Sequence, residues 1–257
     1  MPAPRRRALA CTAALAAVLG NAVPALATAL PTPLNAPLVA TSPVLTGAHG
    51  LRHGTSTNWS GYIATSTNDT KFDSVTAHWI QPTAVCTDQD TYSSFWVGLD
   101  GATSKTVEQT GSSVDCSGGQ PVYYSWYEMY PAYPVNYDDP VAPGDRFTAS
   151  VLKSGTDKFT LTLTDVTQGW SHTVNKTLRN AALSSAEVIA EAPSTLAGPL
   201  PLTNFGSVDF SSATVNGKPL GDFNPENVTM ARSGHPLAAT SSLSGGNAFS
   251  VTWKSST

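Results

Sequence analysis

Five short segments hold the side chains that could do chemistry: NWSGY (58–62), WVGLDG (96–101), EQTG (108–111), YSWYEMYP (124–131) and AEVIAEAP (186–193). Together they set carboxylates and a carboxamide among large aromatics. If 186–191 is a strand, Glu187, Ile189 and Glu191 share one face while Val188 and Ala190 line the other. If 122–130 is a strand, Val122, Tyr124, Trp126, Glu128 and Tyr130 share a face, and Val107 and Gln109 pair in the same way. A fully buried carboxylate needs a partner, and basic residues are scarce in this chain. Such a set suits the floor of a cleft better than a dry core. Two carboxylates, Glu128 and Glu191, flanked by tryptophans could serve as acid and base, or acid and nucleophile, in a jelly-roll glycoside hydrolase. A non-catalytic, lectin-like binding module would carry the same residues without turnover.

Other hydrolase signatures are absent. The chain has no GxSxG elbow, no HExxH zinc motif and no Asp-Thr-Gly or Asp-Ser-Gly. It has no CxxC, and His49, His53, His78, His172 and His235 show no metal-ligand spacing. Neither a metal nor a cofactor is expected.

In order and spacing, the five segments resemble the glutamic peptidase (eqolisin) family. There WVG(I/L)DG precedes QTG, WYE(W/M)YP follows, and an A-E-x-x-x-E segment comes later. The resemblance spans about Thr55 to Lys254. It implies a β-sandwich of two curved antiparallel sheets, a concanavalin-like jelly roll, with the active site on a concave face. It also implies a catalytic dyad at Gln109 and Glu191, with supporting or substrate-binding roles for Trp59, Trp96, Asp100, Glu128, Tyr124 and Trp126. One position departs from the pattern: fungal members carry Asp where this chain has Tyr124.

The implied activity is acid endopeptidolysis of proteins or peptides. Glu191 would act as general base and then general acid, losing and regaining one proton. The Gln109 NH₂ would donate to the tetrahedral oxyanion, and an amide keeps that ability in acid because it never titrates. Set against these roles are plainer ones. Gln109 alone reads as a polar strand residue, Asp100 as a turn residue of Asp-Gly, Glu128 as a structural hydrogen-bonding group, and the tryptophans as core or cleft wall. Helix propensity alone would put Glu191 in the last turn of an Ala-rich helix over 179–191. Ser184 and Ser185 break that run, so a strand is expected.

The elements that must position these residues are read from period-two patterning. Val75, Ala77 and Trp79 alternate with Ser74, Thr76 and His78, and the pattern repeats at Phe147–Val151, Phe159–Leu163 and Phe249–Trp253. Turn chemistry separates them: Pro143-Gly144-Asp145, Ser154-Gly155, Asn216-Gly217-Lys218-Pro219 and Ser244-Gly245-Gly246. Many short strands without interleaved helices predict an all-β sandwich or barrel forming one domain, residues 55–257.

The N-terminus addresses the chain outward. Arg5, Arg6 and Arg7 precede an apolar stretch from about Ala8 to Leu19 and a small-residue exit at Ala25-Leu26-Ala27, which describes a signal peptide over 1–27. Residues 28–54, rich in Pro, Ala, Leu and Thr, read as a propeptide or flexible leader. Removing the first 27 residues leaves 11 basic against 18 acidic residues, a net of −7. No basic stripe is available for nucleic acid, and no later segment is apolar for long enough to span a membrane as a helix. A secreted monomer is expected. Charged residues make up only 12% of the chain, about half the usual share, which favours tolerance of acid. Cys86 and Cys116 are an even pair in an oxidising compartment, so a disulfide is expected. Asn58, Asn68, Asn175 and Asn227 begin glycosylation sequons.

Overall fold

The computed structural model describes residues 53–66 and 70–257. The signal peptide, nearly all of the expected leader and the Asn68 sequon lie outside the described residues. Among those described there is no α-helix. The strands run β1 (His53–Ser56), β2 (Trp59–Thr65), β3 (Ser74–Ile80), β4 (Thr91–Leu99), β5 (Val107–Ser117), β6 (Gln120–Tyr130) and β7 (Val135–Asn136). Then come β8 (Arg146–Gly155), β9 (Lys158–Asp165), β10 (Trp170–Thr177), β11 (Ser185–Glu191), β12 (Ser194–Thr195) and β13 (Gly198–Pro199). The last five are β14 (Ser207–Val215), β15 (Lys218–Pro219), β16 (Glu226–Arg232), β17 (His235–Thr240) and β18 (Phe249–Trp253).

One hydrogen-bonded path joins most of them, in the order β10-β9-β8-β3-β14-β18-β17-β16-β2-β11-β4-β5-β6-β7. The path folds back so that β4 and β5 pack on β8 and β9, and β11 packs on β3 and β14. The result is the expected sandwich, with β16, β17 and β18 carrying the ladder between its two layers. Burial follows the predicted alternation: Val75, Ala77 and Trp79 on β3, Phe147, Ala149 and Val151 on β8, and Phe159, Leu161 and Leu163 on β9 all enter the core. They meet Phe95, Val97 and Leu99 of β4 and Val188 and Ala190 of β11. Each large apolar side chain so buried stabilises the fold by roughly 1.5–3 kcal/mol before entropy is counted.

The layer built from β2, β11, β4, β5 and β6 is buried on its other face too. There Trp59, Ile63, Trp96, Trp126, Ile189 and Val228 form a second apolar cluster. Residues 185–191 are therefore a strand buried throughout, not the end of a helix. The Cys86–Cys116 disulfide is present and ties the loop before β4 to the end of β5.

Candidate active site

Strand register arranges the second face in rows. Glu187, Gly98, Gln109 and Glu128 form one row across β11, β4, β5 and β6. Ile189, Trp96, Gly111 and Trp126 form the next, followed by Glu191, Ser94, Ser113 and Tyr124. The side chains that the sequence grouped by parity do share a surface. Gln109 and Glu191 stand on it two rows and two strands apart, with Trp96 and Gly111 in the row between. Gly111 has to lack a side chain, since a Cβ there would sit 2.2 Å from the Phe95 carbonyl oxygen and 2.6 Å from Trp96 Cβ.

Glu191 ends β11 and is buried. Its Oε1 accepts from Asn58 Nδ2 at 3.0 Å and its Oε2 from Trp96 Nε1 at 2.8 Å. Trp59 packs edge-on against Trp96, ring centroids 5.2 Å apart. Burial pushes the Glu191 carboxyl up to about 8, against the pull of Trp59, Trp96 and Asn58 toward the charged form. Asn58 is fixed in turn: the Ser56 hydroxyl donates to its Oδ1, and its carbonyl accepts from the Ala192 amide at 2.8 Å. Sequence reasoning took Asn58 as a sequon and read its segment for Trp59. The NWSGY segment was the signal, because it leads directly into the strand beside Glu191.

Gln109 is also buried, and its Nε2 donates to Glu128 Oε2, directly opposite on β6. That bond sets which end of the amide faces the carboxylate, since only the NH₂ can donate. Gln109 Oε1 has no hydrogen-bond partner. Trp126 Nε1 donates to Ser113 Oγ at 2.8 Å, which fixes the ring at the centre of the surface. Tyr124 donates to Asp115 Oδ2 at 2.9 Å. Asp100 works elsewhere. At φ 69°, it accepts from the amides of Leu183 and Ser184, both at 2.8 Å, and so clamps the entry to β11.

Two further carboxyls, Glu108 and Glu187, are fully buried near Asp100 with no hydrogen bond to either oxygen. The expectation that a buried carboxylate here would have a partner fails for both. Burial, reinforced by Asp100, pushes Glu108 up to about 9 and Glu187 well above the ordinary range, so each is housed as a neutral acid. Among the described residues no group of His, Cys, Asp or Glu could hold a metal ion.

The fold and site define a class, and comparison names it. The profile of the peptidase A4 family matches residues 57–253, and the chain belongs to that family. Aspergillopepsin-2 of Aspergillus niger is 30% identical over 155 residues, covering 58% of this chain and 55% of that protein. The chain thus matches about half the length of this curated relative. Aspergilloglutamic peptidase from Aspergillus niger aligns at TM-score 0.58 and 28% identity, covering 64% of this chain and 99% of that one. Scytalido-glutamic peptidase with a transition state analog inhibitor aligns at TM-score 0.67 and 23% identity, covering 77% and 99%, a likeness of fold.

Proposed function

We propose that this chain is a secreted, acid-acting endopeptidase in which Gln109 and Glu191 hydrolyse peptide bonds. The observation that carries the reading is the paired environment of the two residues. Glu191 is a buried carboxyl held by two donors, and Gln109 is an amide whose orientation is set by Glu128. An NH₂ group has two hydrogens, so one remains for a substrate carbonyl oxygen. The glycosidase reading is weaker, because Glu128, which it needs as acid or base, is committed to Gln109.

The raised pKa of Glu191 revises the order of proton transfers expected from sequence. In acid the resting group is the carboxylic acid. It donates to the scissile carbonyl oxygen as water adds, and the carboxylate so formed takes the proton that the water releases. In the second half the carboxyl protonates the leaving nitrogen and recovers a proton as the diol collapses. Atoms balance with one water consumed, and Gln109 donates to the developing oxygen throughout.

The test is cleavage of a denatured protein from about pH 2 to pH 7, beside Glu191→Gln, with pepstatin and a chelator as controls. Cleavage in acid, insensitive to both and lost in the variant, is expected. Undiminished activity in a folded Gln109→Ala protein would overturn the mechanism.

A further inference from the structure

Two stretches of chain frame Glu191, and one side chain touches both. β11 ends at Glu191, and the chain runs on through Ala192 and Pro193 into the β12–β13 hairpin. That hairpin closes where the Leu200 amide donates to the Pro193 carbonyl at 2.8 Å. On the other side, Thr57 immediately precedes Asn58, whose Nδ2 donates to Glu191 Oε1. Arg232, the last residue of β16, reaches both segments. Its Nε donates to the Thr57 carbonyl at 2.9 Å, and its Nη2 donates to the Leu200 carbonyl at 2.7 Å.

The place of this contact in the sheet gives it weight. Parallel pairing of β1 with β16 runs as far as Ser56 and Met230, and β2 pairs with β11 from Trp59 onward. Thr57 and Asn58 lie between the two ladders, and there Arg232 takes the Thr57 carbonyl. Arg232 is half-buried. Burial lowers its pKa, yet a guanidinium starts so high that it stays charged through the whole acid range. Neither of its two carbonyl acceptors titrates. A carboxylate partner would lose its charge in acid, whereas this contact keeps its geometry there. Lysine is no substitute, because only the planar fork reaches two carbonyls in different segments at once.

We propose that Arg232 is a positioning residue for Glu191, its fork fixing both the segment that presents Asn58 to the carboxyl and the hairpin that follows it. The inference rests on the proposed role of Glu191 and names a residue that serves it. The groups that set the Glu191 carboxyl are burial, Trp59, Trp96 and Asn58, and the guanidinium is not among them. Beyond these, the Glu191 row holds Ser94, Ser113 and the Tyr124 phenol, which burial keeps neutral and which donates to Asp115. Arg232 therefore acts through Asn58. When the fork is lost, Asn58 drifts, its hydrogen bond to the charged form of Glu191 weakens, and the carboxyl moves further upward.

The test is a titration of the Glu191 carboxyl by ¹³C NMR, its signal assigned by its absence in Glu191→Gln. The proteins compared are the wild type, Arg232→Met, Arg232→Lys, Asn58→Leu and the Arg232→Met/Asn58→Leu double variant, each checked for folding by its Tm. Asn58→Leu is expected to raise the titration by roughly half a unit to one unit. Arg232→Met and Arg232→Lys should each reproduce most of that shift, and the double variant should move no further than Asn58→Leu. On a peptide substrate, kcat falls by about tenfold in both single Arg232 variants, and the alkaline limb of the pH–rate profile follows the NMR titration. An unmoved titration in a folded Arg232 variant overturns the proposal. So does a shift in Arg232→Met that Arg232→Lys restores to the wild-type value, since charge alone would then suffice, and so does full additivity in the double variant. Should Arg232→Met fail to fold, Arg232→Lys, which keeps charge and bulk, decides. Should the wild type cleave nothing, the peptidase reading fails, while the titration needs no turnover and still decides the role of Arg232.

Discussion

The side chains around Glu191 pull in opposite directions, and that balance is open to measurement. Burial favours the neutral acid, while Asn58 and Trp96 donate to the charged form. Removing a donor to the charged form raises a pKa. Trp96→Phe therefore moves the alkaline limb of the pH–rate profile upward, by roughly half a unit to one unit. A downward shift would show that the indole does not act on Glu191 as its geometry implies. On the proposed mechanism Gln109→Ala removes the oxyanion donor and lowers kcat by about 10²–10³ with the fold intact. Glu128→Gln keeps the shape but presents an amide to an amide. Gln109 then loses its fixed orientation, and kcat falls by about tenfold while KM changes little, a split that steady-state kinetics on a peptide substrate reads directly.

Strands with one wet face were legible in the sequence, and strands with none were not. On β3, β8 and β9 the polar positions are partly exposed, so alternation reports the buried side. On β4, β5 and β11 nearly every residue is buried, serines and threonines included, and period two no longer separates inside from outside. That is why Asn58, Asp115, Glu108 and Glu187 escaped attention as buried polar groups: nothing in composition distinguishes a carboxyl over a second apolar cluster from one in solvent. The family-like segments compensated, since each lies on or beside this doubly buried layer. The tight approach of β4 and β5 gives the element-scale prediction. Gly111→Ala must displace the Phe95 carbonyl or Trp96, which costs about 1–3 kcal/mol. Thermal denaturation would show it as a lower Tm, and an unchanged Tm would contradict the packing.

At the scale of the whole molecule, the proposed preference for acid has a physical source in the fold that composition only hinted at. Few charges mean that acid breaks little. The larger effect comes from carboxyls that the native state holds protonated: Glu108 at about 9, Glu191 at about 8, Asp115 at about 7, and Glu187 raised further than ordinary. In the unfolded chain each ionises near pH 4, so between pH 4 and 7 the native state binds more protons than the unfolded one. Stability then falls as pH rises through that window, the reverse of ordinary acid denaturation. Glu108 is a clear case, because burial is the largest cause of its shift. In Glu108→Gln the protein gains up to roughly 3 kcal/mol at pH 7 relative to the wild type and almost nothing at pH 4. Urea midpoints for both proteins at pH 4, 5.5 and 7 would test this. Parallel curves would show that Glu108 does not titrate on unfolding, whereas a variant curve flatter than the wild type would locate part of the acid preference in this one buried carboxyl.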